Sequence, residues 1–170
     1  MKLLLHMCCG PCSTYPYKVL KDKGYEIEGL FYNPNIHPIE EHTKRSENVK
    51  SFAEKNGMKV HFDNEFMQDV WEKMTDKEKR CNYCYSIRMQ KAAKFASENG
   101  FDAFTTTLLV SPYQNNDLIK KLGEFFADKY NVTFLYEDFR SGFREGQQMA
   151  RELGLYRQKY CGCILSLQER

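Results

Sequence analysis

The chain has 170 residues, 42% of them hydrophobic and 14% aromatic, with 25 Lys and Arg against 23 Asp and Glu. That composition excludes a disordered segment and gives length for a substantial core, expected as a single domain over residues 1–170. A net charge of +2 is too small to announce nucleic-acid binding, and no run approaches the roughly twenty apolar residues of a membrane span.

Residues 3–7 form a continuous apolar run of strand length. It is shorter than the roughly seven to fifteen residues of a signal-peptide core, so the chain is expected in the cytoplasm, where structural disulfides are rare. Cys8-Cys9-Gly10-Pro11-Cys12-Ser13 follows. Gly10 and Pro11 predict a turn, and Ser13 or Thr14 a cap for a helix with Pro16 in its first turn. Three thiols therefore stand where a strand hands over to a helix N-terminus, whose N–H groups and dipole favour thiolate.

That helix runs to Asp22, and a second strand over 27–32 ends in the loop Asn33-Pro34-Asn35-Ile36-His37-Pro38. A charged helix over 39–55 stops at Gly57, and a third strand over 58–62 ends at Asp63. The helix over 65–74 carries Phe66, Val70 and Trp71 at a spacing that suits core packing. Cys81-Asn82-Tyr83-Cys84 opens a helix to about Ser97. A fourth strand over 101–109 ends at Ser111-Pro112-Tyr113, and Asn115 or Asn116 caps a helix to about Lys129. A fifth strand over 132–136 ends at Glu137-Asp138, and a last helix spans about 143–153. The tail, from about 156 to 170, carries Cys161-Gly162-Cys163.

Five strands alternating with helices predict an α/β fold: a parallel five-stranded sheet with helices on both faces. Ligands of such sheets bind beyond the strands' carboxyl ends. Cys8 and Cys9, Asn33, Asp63, Ser111 and Asp138 are expected along that edge. His6 reads as a core histidine inside the first strand, and His37 and His42, flanking the second strand's loop, as solvated loop residues, with contact to phosphate or substrate the other role for each.

Seven cysteines in a cytosolic chain point to metal or redox work, and an odd number cannot all pair. Cys81 and Cys84 are three apart, so both fall on one helix face and suit one zinc ion or one iron–sulfur cluster. The N-terminal group offers Cys9/Cys12 at the same spacing, or the adjacent pair Cys8/Cys9. Cys161 and Cys163 can close only a small, strained and easily reduced disulfide, which suits a redox switch or relay; metal ligation is the alternative. Cys9-Gly10-Pro11-Cys12 also matches the thioredoxin tetrapeptide, leaving a thiol–disulfide oxidoreductase using Cys9/Cys12 as a competing function. A zinc-bound nucleic-acid module is a third.

Met7-Cys8-Cys9-Gly10-Pro11-Cys12, Tyr32-Asn33-Pro34-Asn35-Ile36, Cys81-Asn82-Tyr83-Cys84-Tyr85, Ser111-Pro112 and Tyr160-Cys161-Gly162-Cys163 together resemble the cobalamin-independent epoxyqueuosine reductases. The resemblance implies the nucleotide-hydrolase-like fold shared with the PP-loop ATPases, with the cysteine turn in place of their phosphate loop, and hence no ATP chemistry and no cobalamin. It implies a [4Fe–4S] cluster on Cys8, Cys9, Cys81 and Cys84 and a redox-active pair in Cys161 and Cys163; it assigns Cys12 no role, which leaves that thiol a candidate fifth metal ligand for an additional iron. The implied substrate is tRNA with a GUN anticodon carrying epoxyqueuosine at the wobble position, reduced to queuosine with an external electron donor. No membrane is implied.

Epoxide removal needs protons, and Asp63 and Asp138 are the strand-end candidates for supplying them; helix capping is the other role for each. With tRNA as substrate, Arg140, Arg144, Arg151, Arg157 and Lys159 become candidate phosphate contacts, and Tyr113 or Tyr160 a stacking partner for the wobble base.

Overall fold

The computed structural model describes residues 1–169. Five parallel strands, β1 (Lys2–His6), β2 (Glu26–Tyr32), β3 (Val60–Asp63), β4 (Ala103–Thr106) and β5 (Thr133–Phe134), form one sheet in the order β3-β2-β1-β4-β5. β1 is central: Leu3 pairs with Ile27 on one side and Ala103 on the other. A strand covered on both faces reads as unbroken apolar sequence, and Leu3, Leu4 and Leu5 are fully buried.

The helices are α1 (Gly10–Asp22), α2 (Ile39–Asn56), α3 (Gln68–Glu72), α4 (Lys77–Glu98), α5 (Asn116–Tyr130), α6 (Phe143–Glu152) and α7 (Ile164–Gln168). α1 packs against α2 and α6, and α4 against α5, in two layers. The chain leaves β1 toward β2 and later returns to its other side as β4, so the strand order reverses between β1 and β4. That reversal opens a crevice beyond their carboxyl ends. The expected fold class is present, and no helix among the described residues is long and apolar enough to cross a membrane.

Several boundaries differ from the sequence expectation. α1 begins at Gly10, ahead of the expected cap at Ser13 or Thr14, with Cys9 as N-cap. Pro11 is no obstacle, because a first-turn residue has no intrahelical N–H bond to lose. The Ser13 and Thr14 hydroxyls donate back to the carbonyls of Cys9 (2.6 Å) and Pro11 (2.8 Å). α4 begins at Lys77 behind an Asp76 cap, which puts Cys81 in its second turn. The fourth strand is short because Thr106 turns it into a 3-10 segment, Thr107–Val110, by accepting from the Leu108 N–H at 3.2 Å. α7 lies in the tail, where no helix was expected; Cys163 is its N-cap.

Trp71, fully buried, centres a second, smaller core with Cys84 and Cys163, packed by Val70, Ile164 and Leu165. His6 is a core histidine as expected: Nε2 donates to the Tyr32 carbonyl at 3.0 Å and Nδ1 lies 2.9 Å from Thr106 Oγ1. His37 and His42 are not solvated. Both are buried, and His42 meets Phe31 and Phe66 edge to face.

Candidate functional site

The Cys8, Cys9 and Cys12 sulfurs lie within 4.8 Å of one another, all buried, at the mouth of the β1–β4 crevice. The strand end supplies Cys8 and Cys9, and the first turn of α1 returns Cys12 beside them. Gly10 makes the turn possible: its N–H donates to Asn48 Oδ1 at 2.7 Å, and a Cβ there would stand 2.2 Å from that oxygen. The Cys8 N–H donates to Thr107 Oγ1 at 3.2 Å, tying the thiol turn to the segment after β4. Gln158 spans the group, accepting from Cys9 through Oε1 at 3.0 Å and donating through Nε2 to Cys12 at 3.4 Å. Cys8 therefore belongs to the same group as Cys9 and Cys12, and the thioredoxin-type pair is not set apart.

The three thiols are not equivalent. Hydrogen bonds from the Cys12 and Cys9 thiols, then the Thr107 hydroxyl, hold Cys8 well below an ordinary thiol. Burial, and then the neighbouring Cys12 and Cys8, raise Cys9; the bond to Cys8 raises Cys12. The triad thus favours one thiolate supported by two thiols.

Cys81, Cys84, Cys161 and Cys163 form a second group, close enough to act on one another electrostatically. Burial pushes the Cys84 thiol up to about 12, against the pull of Arg88, whose Nη2 donates to Cys84 Sγ at 3.1 Å while Nε donates to the Cys84 carbonyl at 2.8 Å. Arg88 is buried and also acts on Cys161 and Cys8, so it stands between the two groups. Burial likewise raises Cys81. All seven cysteines are free thiols; Cys161 is exposed and Cys163 buried.

The tail is fastened over this site. Arg45, 2% exposed, donates through Nη1 to the Cys161 carbonyl at 3.0 Å and through Nη2 to the Tyr160 carbonyl at 2.9 Å. His37 donates its backbone N–H to the Gly162 carbonyl at 2.7 Å, and the Tyr160 hydroxyl donates to the His37 carbonyl. Arg80 makes a two-bond pair with Glu169 at 3.1 and 3.2 Å. Gly162 is required where it stands: its φ is +141°, and a Cβ would fall 2.9 Å from Arg45 Nη1.

Cys8, Cys12, Arg45, Arg88, Ser111 and Cys161 are among the walls of a cavity of about 30 Å³. It leads to a vestibule of about 310 Å³ that shares Cys12, Ser111, Gln114, Gln158 and Cys161 and adds Tyr113, Phe143, Gln147, Lys159 and Tyr160.

Of the other expected residues, Asp63 and Asp138 line neither cavity. Burial raises the Asp63 carboxyl, but the Lys91 ammonium at 2.9 Å and the Glu65 N–H outweigh it, and the group ends below the usual range. Arg140 binds the Asp138 carboxylate through two side-chain nitrogens and lowers it too. Carboxylates so held are ionised and are not placed as proton donors; Asp138 has its own Arg140 and N–H to hold. Arg144 and Arg157 are exposed, and Lys159 lines the vestibule. Sequence reasoning missed Arg45, Arg88 and Gln158. Arg88 was detectable, four residues after Cys84 on the same helix face. Nothing local marks the other two.

The family model described as Epoxyqueuosine reductase QueH matches residues 3–169. A protein of that name from Thermotoga maritima is 35% identical over 99% of this chain and 91% of its own, and another from Dehalococcoides mccartyi is 32% identical over 99% and 94%. Among solved structures, the U34-tRNA thiolase NcsA from Methanococcus maripaludis, with its [4Fe-4S] cluster, has a TM-score of 0.57 at 14% identity, covering 99% of this chain and 62% of that one. A predicted subunit of tRNA methyltransferase from Methanocaldococcus jannaschii has a TM-score of 0.55 at 14% identity over 88% and 75%. At that identity the likeness is one of fold alone.

Proposed function

The chain belongs to the epoxyqueuosine reductase QueH family, and from that premise we propose that its thiol-lined cavity reduces the epoxide of epoxyqueuosine, at the wobble position of tRNA, to the alkene of queuosine. The observation that carries this reading is the meeting of Cys8, Cys9 and Cys12 within 4.8 Å at the β1–β4 crevice, across a cavity from the exposed thiol of Cys161.

An iron–sulfur cluster suits the donors present. They are soft thiols, one of them favoured as thiolate, with a buried guanidinium alongside to offset thiolate charge. The ligand set we propose is Cys8, Cys9, Cys81 and Cys84 for a [4Fe–4S] cluster, with Cys12 left to serve an additional iron. A cluster bound there supplies electrons one at a time at low potential.

The protein's own groups do the rest. Removing the epoxide oxygen as water takes two electrons and two protons. Oxidation of Cys161 and Cys163 to a disulfide releases two of each, so one pair of thiols balances one turnover, and the strained ring is then reopened by an external donor. As the C–O bond breaks, negative charge grows on the departing oxygen. Arg88, in the cavity wall with no carboxylate partner among the described residues, is the fixed positive charge that meets it. Arg144, Arg157 and Lys159 would carry part of the phosphate contact.

The test is anaerobic, iron- and sulfide-loaded protein incubated with a reductant and epoxyqueuosine-containing tRNA. Queuosine among the digested nucleosides is the expected product; none, with the iron content intact, overturns the assignment.

A further inference from the structure

The family reading leaves unassigned how a bulky anticodon base would be held above the thiols. The vestibule of about 310 Å³ is lined by three aromatic rings, those of Tyr113, Phe143 and Tyr160, with three glutamine amides and a lysine, and no carboxylate is in its wall. Tyr113 is 84% exposed, the most exposed large apolar side chain of the described residues, and it stands at this opening. Its ring meets that of Phe143 at 5.9 Å and 87°, so the two make a right-angled corner. A flat ring laid on one face of Tyr113 would present its edge to Phe143.

The three amides differ in what remains free. Gln114 accepts from the Tyr85 hydroxyl through Oε1, with Nε2 directed at Cys161, and Gln158 is bound at both ends by Cys9 and Cys12. Gln147, half-buried in the same wall, has no hydrogen-bond partner among the described residues. An amide offers one acceptor and two donor hydrogens, the complement of a base edge. Lys159, exposed at the rim, supplies a cation where a nucleotide's phosphate would enter.

We propose that this vestibule is a subsite for one everted nucleotide: Tyr113 stacks on the base with Phe143 against its edge, Gln147 reads its hydrogen-bonding edge, and Lys159 meets its phosphate. The inference rests on the reading of the thiol cavity as the epoxide-reducing centre, because the vestibule is that cavity's approach. Gln147 is then the specificity-determining residue, and Tyr113 sets affinity. A base must leave its stack to reach a reactive centre of this kind, and aromatic faces are what receive it.

The test uses an anticodon stem-loop RNA with 2-aminopurine at the wobble position and the full-length protein. Stacking on Tyr113 changes the fluorescence of the probe in a titration. Tyr113→Ala is expected to weaken binding by at least about fivefold and to abolish the fluorescence change, whereas Tyr113→Phe keeps both. Gln147→Ala is expected to raise KM for epoxyqueuosine tRNA more than it lowers kcat, with the melting temperature unchanged. Unaltered affinity, fluorescence and KM in Tyr113→Ala and Gln147→Ala, beside a wild-type protein that forms queuosine, would overturn the subsite alone. A wild-type protein that forms no queuosine overturns the underlying functional reading, and separates the two failures.

Discussion

The backbone N–H of Ile164 donates to Nδ1 of His37 at 3.0 Å, and His37 Nε2 lies 2.9 Å from the Pro34 carbonyl. The backbone donor fixes the tautomer: Nδ1 carries the lone pair and Nε2 the hydrogen. Neutral imidazole therefore clasps the tail helix to the loop after β2, and imidazolium has no acceptor to offer.

The clasp makes the tail pH-sensitive. Burial pulls His37 from 6.5 down to about 4. An unfolded chain takes up that proton below pH 6.5 and the folded one does not, so stability is full above 6.5 and falls as pH drops toward 4. The slope in that window is about 1.4 kcal/mol per pH unit for this histidine. Urea denaturation from pH 7 to 4.5 should show a shallower decline for His37→Gln than for wild type, the buried His6 contributing equally to both.

Arg45 holds the strand of tail that presents Cys161. Arg45→Ala leaves the Tyr160 and Cys161 carbonyls without their donor and should cost on the order of 2–4 kcal/mol. Arg45→Lys restores the charge but not the two-pronged geometry, so it should recover only part. Gly162→Ala should act on the same contact from the other side, through its +141° φ and the crowded Arg45 Nη1. In each variant the Cys161 thiol should alkylate faster than in wild type, read by mass spectrometry of iodoacetamide time courses, while the triad thiols keep their rates.

Gly10 and Asn48 form a coupled pair. A methyl at Gly10 would displace the Asn48 amide from 2.2 Å and remove the bond that positions the thiol turn. Gly10→Ala is expected to destabilise by about 2–4 kcal/mol. Asn48→Ala on its own leaves a buried N–H unpaired, at about 1–3 kcal/mol. The double variant should cost clearly less than the two together, because the clash partner is gone; strict additivity in denaturation would refute the coupling.

The fold was legible because its signals are local. Leu3, Leu4 and Leu5 read as a doubly covered strand, and Gly24, Gly57 and Gly100 stop helices at positive φ. The cysteines were legible as a centre because their spacings are chemical. What local sequence does not encode is who meets whom across the chain. Arg45 looks like one more charge on a solvated helix until the tail folds over it. His37 looks like loop until Ile164 reaches it. Asp63 ends β3 and Asp138 lies in the segment beyond β5, yet Lys91 and Arg140 claim them first.

Surface charge gives a separate check on the substrate. Arg144 and Arg157 are exposed, whereas Arg140 is spent on Asp138. Arg144→Glu with Arg157→Glu should therefore weaken tRNA binding and reduce the slope of log affinity against log salt by about two, whereas Arg140→Gln should leave the slope near wild type. Filter binding across a salt series reads both.

The division of labour among the cysteines can be separated by iron content and turnover. If Cys8, Cys9, Cys81 and Cys84 hold the cluster, each serine variant should lose most iron and labile sulfide after anaerobic loading, and the brown colour with them. Cys161→Ser and Cys163→Ser should keep the iron yet lose turnover, because one thiol cannot supply the two electrons that forming a disulfide releases. Cys12 is the discriminating position. Its sulfur lies within 4.8 Å of Cys8 and Cys9 and is bonded by Gln158, so Cys12→Ser that loses the whole cluster would make it a ligand in place of Cys81 or Cys84. Loss of a single iron, with the cluster spectrum retained, assigns it to the additional iron.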